Sequence, residues 1–206
     1  MLNLSSTSSL LCIESPMTDS ANRNGIARWI VLALPGIMLL DHLATGIVTS
    51  WLAGVPMLQA LSHFDSNWYN SIVANGYTEQ SLAFFPLYPA LLKLIQSVTS
   101  QLLPTQITGV VFSTVLFAVF CILTATISDD AKWQEGLLAP RTVSGWFCFV
   151  YGPASYVLHS NHTEALFLLL SLAAFAASKS GRWIWAALFA GLCADVCHTQ
   201  HRHADS

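Results

Sequence analysis

Long apolar runs alternate with short polar breaks along most of the chain. Crossing the hydrocarbon of a bilayer takes about 20 residues of helix. Residues 29–52, WIVLALPGIMLLDHLATGIVTSWL, reach that length but are broken by Pro35 and by the adjacent Asp41 and His42. Residues 107–127, ITGVVFSTVLFAVFCILTATI, are uncharged from end to end. A third run, 142–160, is interrupted at Gly152-Pro153. The fourth, 165–178, is short unless it takes in polar residues upstream, and the fifth, 183–194, is short before Asp195 intervenes. Residues 82–96, LAFFPLYPALLKLIQ, hold Pro86, Pro89 and Lys93, which suits a re-entrant or interfacial helix better than a span.

Composition turns this pattern into a class. Of 206 residues, 54% are hydrophobic and 9% charged, whereas soluble domains carry about 25% charged residues. A soluble helical bundle would need charged outer faces, and 107–127 has none. The expected fold is therefore an all-α polytopic membrane protein of about five spans. Eight Lys plus Arg at a net charge of -3 leave no basic surface, which excludes nucleic acid as a partner. Cys121 and Cys148 fall inside apolar runs, so the five cysteines do not read as a disulfide framework.

The basic residues give the topology. Arg23 and Arg28 precede the first run, Lys132 and Arg141 lie between the second and third, and Lys179 and Arg182 lie between the fourth and fifth. If five runs cross in turn, all three clusters share one side, as cytoplasmic loops do. The N-terminus is then cytoplasmic, and residues 1–28 form a disordered leader. Residues 29–194 form the membrane domain, and the loop 53–106, with Lys93 as its one basic residue, faces outward. The turn Asn161–Glu164 faces the same way, which brings Asp65 and Glu164 to one surface. Residues 195–206 are an atypical polar tail.

The outward loop contains the candidate chemistry, in HFDSNWYNSIVANGY, residues 63–77. Asp65 or Ser66 suits the start of a helix that Gly76 would end. A carboxylate there equally suits a general base, provided an acceptor hydroxyl comes within hydrogen-bond reach. His63 is either a partner of Asp65 or a hydrogen-bonded interfacial histidine. Trp68, Tyr69 and Tyr77 suit sugar stacking, but Trp and Tyr also gather at any membrane interface. FFPLYP, with Phe85 and Tyr88, suits a rigid wall for a lipid tail or plain anchoring, and Lys93 a lipid phosphate or snorkelling to headgroups. Asp41 and His42 are costly inside a span and would suit a transporter relay. Glu164 and His162 stand where the fourth run begins, with Glu164 favourable at a helix N-terminus. Asn161-His162-Thr163 is also a glycosylation sequon close to the membrane. The tail residues Cys193, Cys197, His198, His201 and His203 offer metal-ligand types without a framework to fix their geometry.

Three blocks, HFDSNWYNSIVANGY, AFFPLYPALLKLI and GPASYVLHSNHTEALFLLL, together resemble the PIG-V-like mannosyltransferases, the family of GPI mannosyltransferase 2. The resemblance implies a GT-C glycosyltransferase that takes mannose from a polyprenyl- or dolichyl-phosphate donor and transfers it with inversion outside the cytosol. The acceptor would be a lipid-linked or surface glycan. It implies a catalytic role for Asp65 and matches Glu164 to the family's glutamate, which leaves His63, Trp68, Tyr69, Tyr77, Phe85, Tyr88, Lys93 and His162 as the candidate substrate contacts. His162 stands where the family pattern has tyrosine. No resident cofactor is implied with certainty, a divalent metal stays open, and the partners are membrane lipids, the lipid-phosphate sugar and a further membrane subunit as an open case. The membrane would be the plasma membrane in a prokaryote or the endoplasmic reticulum in a eukaryote. After ALFAGLCA the resemblance ends, which implies an N-terminal, truncated part of a family member. The readings from another class are a transporter or channel built on Asp41 and His42, and an inactive membrane scaffold.

Overall fold

The structure is a computed structural model that describes residues 17–62, 65–127, 145, 149, 151–152, 155–158 and 160–197. Among these residues all regular structure is helical. The helices are α1 (Met17–Ala53), α2 (Met57–Ala60), α3 (Asp65–Asn75), α4 (Leu87–Val98), α5 (Thr105–Ile127), α6 (Glu164–Lys179) and α7 (Trp183–Cys197), with 3-10 turns at Glu79–Ser81 and Ser155–Leu158.

Two helices are long and apolar enough to cross a membrane, the Trp29–Ala53 part of α1 and the whole of α5. Only 28% and 39% of their most apolar windows are buried, so neither is the enclosed core helix of a soluble protein. On α5 the exposed residues Val111, Val115, Val119 and Ile122 recur at helical spacing, a stripe suited to lipid. The opposite face buries Ser113, Phe117, Cys121 and Thr124. α1 begins at Met17, inside the stretch expected to be an unstructured leader. Once the apolar part has nucleated, adding turns upstream needs no second nucleus. Pro35 sits inside α1 and removes the amide that would reach the Val31 carbonyl.

Most of the predicted third span lies outside the described residues, and its described end, Ser155–Leu158, is a 3-10 turn. α6 and α7 match the fourth and fifth predicted runs, at 16 and 15 residues. At about 1.5 Å per residue each is shorter than a full crossing. They form a hairpin. Its turn puts Gly181 at φ 70°, and the Arg182 amide donates to the Ala177 carbonyl at 2.9 Å, a left-handed cap that glycine adopts without strain. α7 runs to Cys197, so the first residues of the expected polar tail continue the helix.

The proline-rich segment becomes α4, which is 12 residues long and too short to cross. Both prolines open it, Pro86 at the N-cap and Pro89 in the first turn. Amides there have no helical acceptor, so proline loses nothing. α4 buries Tyr88, Pro89 and Leu92 and exposes Lys93 and Leu94. α3 is the helix expected from HFDSNWY, and Gly76 ends it at φ 83°.

Two apolar clusters hold the elements together. Val31, Leu34 and Met38 of α1 meet Phe117, Phe120 and Cys121 of α5 and Ala165 and Leu172 of α6. Tyr69 and Val73 of α3 meet Tyr88 and Leu92 of α4, Leu166 of α6 and Val196 of α7. α5 also passes close to the turn before α6 at Gly109, where an added Cβ would overlap the Asn161 side chain. The substitution Gly109→Ala is therefore expected to destabilise the fold by about 1–3 kcal/mol, the usual cost of overpacking, despite alanine's better helix propensity. Gly36→Ala in α1, where nothing lies within 4 Å, should be neutral or mildly stabilising. Denaturant unfolding of both variants in detergent, side by side, checks the contrast.

Candidate functional site

Where α3, α4, α5 and the turn before α6 meet lies a set of buried polar side chains drawn from these four elements. Asn161 is fully buried. Its Oδ1 accepts from the Tyr88 hydroxyl of α4 at 2.9 Å, and its Nδ2 donates to Asn70 Oδ1 of α3 at 2.8 Å. Its backbone carbonyl accepts from Ser66 Oγ, one turn before Asn70, at 3.1 Å. From α5, Ser113 Oγ donates to the His162 carbonyl at 3.1 Å and lies 2.9 Å from the Tyr88 hydroxyl. His162 Nδ1 faces Ser160 Oγ at 2.6 Å and Ser66 Oγ at 3.2 Å, and its ring meets Tyr156 edge-on. The amide of the sequon is thus bonded at both ends inside the fold and out of reach of a glycan.

This arrangement sets two helix N-termini beside each other. Asp65 is the first residue of α3 and Glu164 the first of α6, positions where the helix dipole favours a carboxylate. Asp65 is open to solvent, and partial burial still raises its carboxyl above the ordinary range. Glu164, at the head of α6, is half-buried, and burial raises its carboxyl most. The backbone amides of Glu164 and Thr163 partly offset this, while the nearby Asp65 charge adds to it. Glu164 Oε2 is buried and accepts no hydrogen bond among the described residues. A buried acceptor left open in this way is a place for a donor on another molecule.

The aromatic residues divide into wall and support. Trp68 is exposed and stacks on Phe84 with ring centres 5.6 Å apart. Tyr77 is exposed, and burial on one side raises its phenol. Tyr69 is buried, edge-on to Phe84 and Tyr88. Its hydroxyl hydrogen-bonds with the Thr163 side chain beside Glu164. Tyr88 and His162 are buried in the polar set and support the site from below. Phe85 is half-buried in the segment leading to α4, and Lys93 lies exposed on α4. His63 lies outside the described residues, as do His198, His201 and His203. In the middle of α1, Asp41 is exposed and His42 buried, so the helix turns the two side chains to different sides.

Four members of the set, Ser66, Asn70, Ser113 and Asn161, were not legible as functional in the sequence. A faint signal was there. Ser62, Ser66 and Asn70 recur every four residues, and Asn70 Nδ2 does reach Ser62 Oγ at 3.3 Å. Ser113 stands in an uncharged, mostly apolar run where its hydroxyl needs an acceptor.

A helical chain with lipid-suited faces and a polar surface headed by two carboxylates fits a membrane enzyme working at the water boundary. The family model described as Mannosyltransferase (PIG-V) matches residues 39–199. The chain belongs to this mannosyltransferase family. The match takes in α2 to α7 and the second half of α1, and passes Ala194, where the resemblance was expected to stop. No curated protein and no solved structure matches the chain.

The raised Glu164 carboxyl has a consequence for stability. Because its folded value lies above the unfolded one, ionisation opposes folding at neutral pH. That opposition disappears as pH falls through the folded value. Glu164→Gln should therefore raise the melting temperature near pH 7 and lose this advantage in acid. Thermal unfolding of both proteins across pH 4–8 checks the crossing.

Proposed function

We propose that the chain is a GT-C glycosyltransferase. It moves a sugar, mannose by its family, from a polyprenyl- or dolichyl-phosphate donor to a lipid-linked or surface glycan acceptor. The observation that supports this best is that α3 and α6, which begin with Asp65 and Glu164, are tied together near their starts by the Ser66 and Asn70 bonds to Asn161. Five spans with the N-terminus in the cytoplasm keep the three basic clusters on one side and this surface on the other. The membrane is that of the endoplasmic reticulum in a eukaryote or the plasma membrane in a prokaryote.

In this reading Asp65 takes the proton of the acceptor hydroxyl. The freed oxygen attacks the anomeric carbon of the donor sugar from the face opposite the phosphate. The bond from that carbon to the phosphate oxygen breaks, and the electron pair leaves with the lipid phosphate, so the configuration inverts. Solvent access suits Asp65 to the base role, because it lets the acceptor reach it and the proton depart. Glu164, with an open buried oxygen, accepts a hydrogen bond from a sugar hydroxyl and fixes its approach. Trp68 on Phe84, together with Tyr77, offers an aromatic surface for the sugar ring. Lys93 on the exposed side of α4 meets the donor phosphate, with Phe85 beside the lipid chain. His63, next to this surface in sequence, contacts the same substrates.

Asp65→Asn keeps the shape and removes the base. Transfer of radiolabelled mannose from dolichyl-phosphate mannose in reconstituted vesicles should fall by about 10²–10⁴-fold, the usual share of a general base. In the unaltered protein, turnover should fall as acid protonates Asp65, at a pH above the ordinary carboxylate range because its value is raised. Unchanged turnover in Asp65→Asn would sink the assignment.

A further inference from the structure

We infer that Asn161 is a positioning residue that holds the two carboxylates at their working separation. The inference rests on the reading of Asp65 and Glu164 as the reacting pair. Asn161 precedes Glu164 by less than one helical turn, so whatever anchors it anchors the start of α6. It joins α3 at two points one turn apart, through its carbonyl to Ser66 and its amide to Asn70. Ser66 is the neighbour of Asp65, and two attachments on one helix face suppress both sliding and rotation of α3. The third bond, from Tyr88, ties the same side chain to α4, and Gly109 lets α5 close over it.

The residue types fit this role better than they fit mere filling of space. A carboxamide both donates and accepts, so one side chain bridges a hydroxyl donor and an amide acceptor. Leucine of similar volume would fill the space but leave Asn70 Oδ1 without its donor and the Tyr88 hydroxyl with Ser113 alone. Ser66, Ser113 and Asn161 are fully buried, and Tyr88 nearly so, which keeps that part of the bridge away from competing water, while Asn70 is half-buried. Asn161 itself touches no reacting atom. It acts through where it puts Glu164 and Asp65.

The test reads the Glu164 carboxyl directly, by carbon-13 NMR titration of glutamate-labelled protein in detergent, its signal assigned by loss in Glu164→Gln. The groups facing Glu164 are Asp65 and Tyr69 of α3, Tyr88 of α4 and Tyr156 of the 3-10 turn. In the unaltered protein the carboxyl titrates above the ordinary value. In Asn161→Ala and Asn70→Ala it should fall back toward the ordinary value as α3 moves away and water enters, with helix content by circular dichroism unchanged. In the transfer assay the same variants should lose kcat more than they raise KM for the donor. If Asn161→Ala does not fold, Asn70→Ala, which removes its bonds to Asn161 and to Ser62, decides alone. A Glu164 titration unmoved in the folded variants, or ordinary in the unaltered protein, overturns the inference. If the unaltered protein transfers no sugar, the proposed function fails and the titration still decides the positioning role.

Discussion

The Asn161 side chain, buried and bonded to two helices at once, is the constraint on which the rest of the arrangement depends. Apolar helices in lipid gain little by exchanging lipid tails for one another, since both are equally apolar. What selects one packing among many is the matching of polar groups that have no water to fall back on. Here α3, α4 and α5 each send one or two such groups to the turn before α6. Shifting any of them by one residue would leave a buried donor or acceptor unmet, at about 1–3 kcal/mol per group. The apolar clusters on either side fill volume and tolerate variation, whereas the polar set admits one register.

That register has a chemical result. Two short helices start at the same surface, each with a carboxylate as its first residue. Neither carboxylate forms an ion pair among the described residues, and each is held above its ordinary protonation range by burial. Helix dipoles favour their charge, while desolvation opposes it and raises both carboxyls, with the Asp65 charge adding to the effect at Glu164. An enzyme that must take a proton from a hydroxyl and return it needs groups in that condition. The polar support beneath them lets the surface stay open, since its rigidity comes from below.

Much of the fold was legible in the chain. The starts and ends of α3, α5, α6 and α7 fall within a few residues of the breaks in hydropathy and the glycines at 76 and 181. The reason is local: apolar runs favour helix, and left-handed caps favour glycine, whatever the neighbours are. The rejection of 82–96 as a span held for the same reason, because Pro86 and Pro89 suit only a helix start. Asp65 and Glu164 stood out because ionisable groups are rare in so apolar a chain.

Other features waited for the tertiary structure. Tyr69 and Trp68 are neighbours of similar type, yet one supports the core and the other faces out, a distinction set by the angle of α3 on α4. Asn161 read only as part of a sequon close to the membrane and is instead a fully buried member of the site, like Ser66 and Ser113. Its partners lie far away in the chain, and no local pattern says which serine meets which asparagine. The sequence by itself determined where helices form and which residues carry charge, since both follow from short-range preference and from the medium. Only the tertiary structure decided which polar groups meet, because buried hydrogen bonds depend on distances and angles between helices that each fold alone.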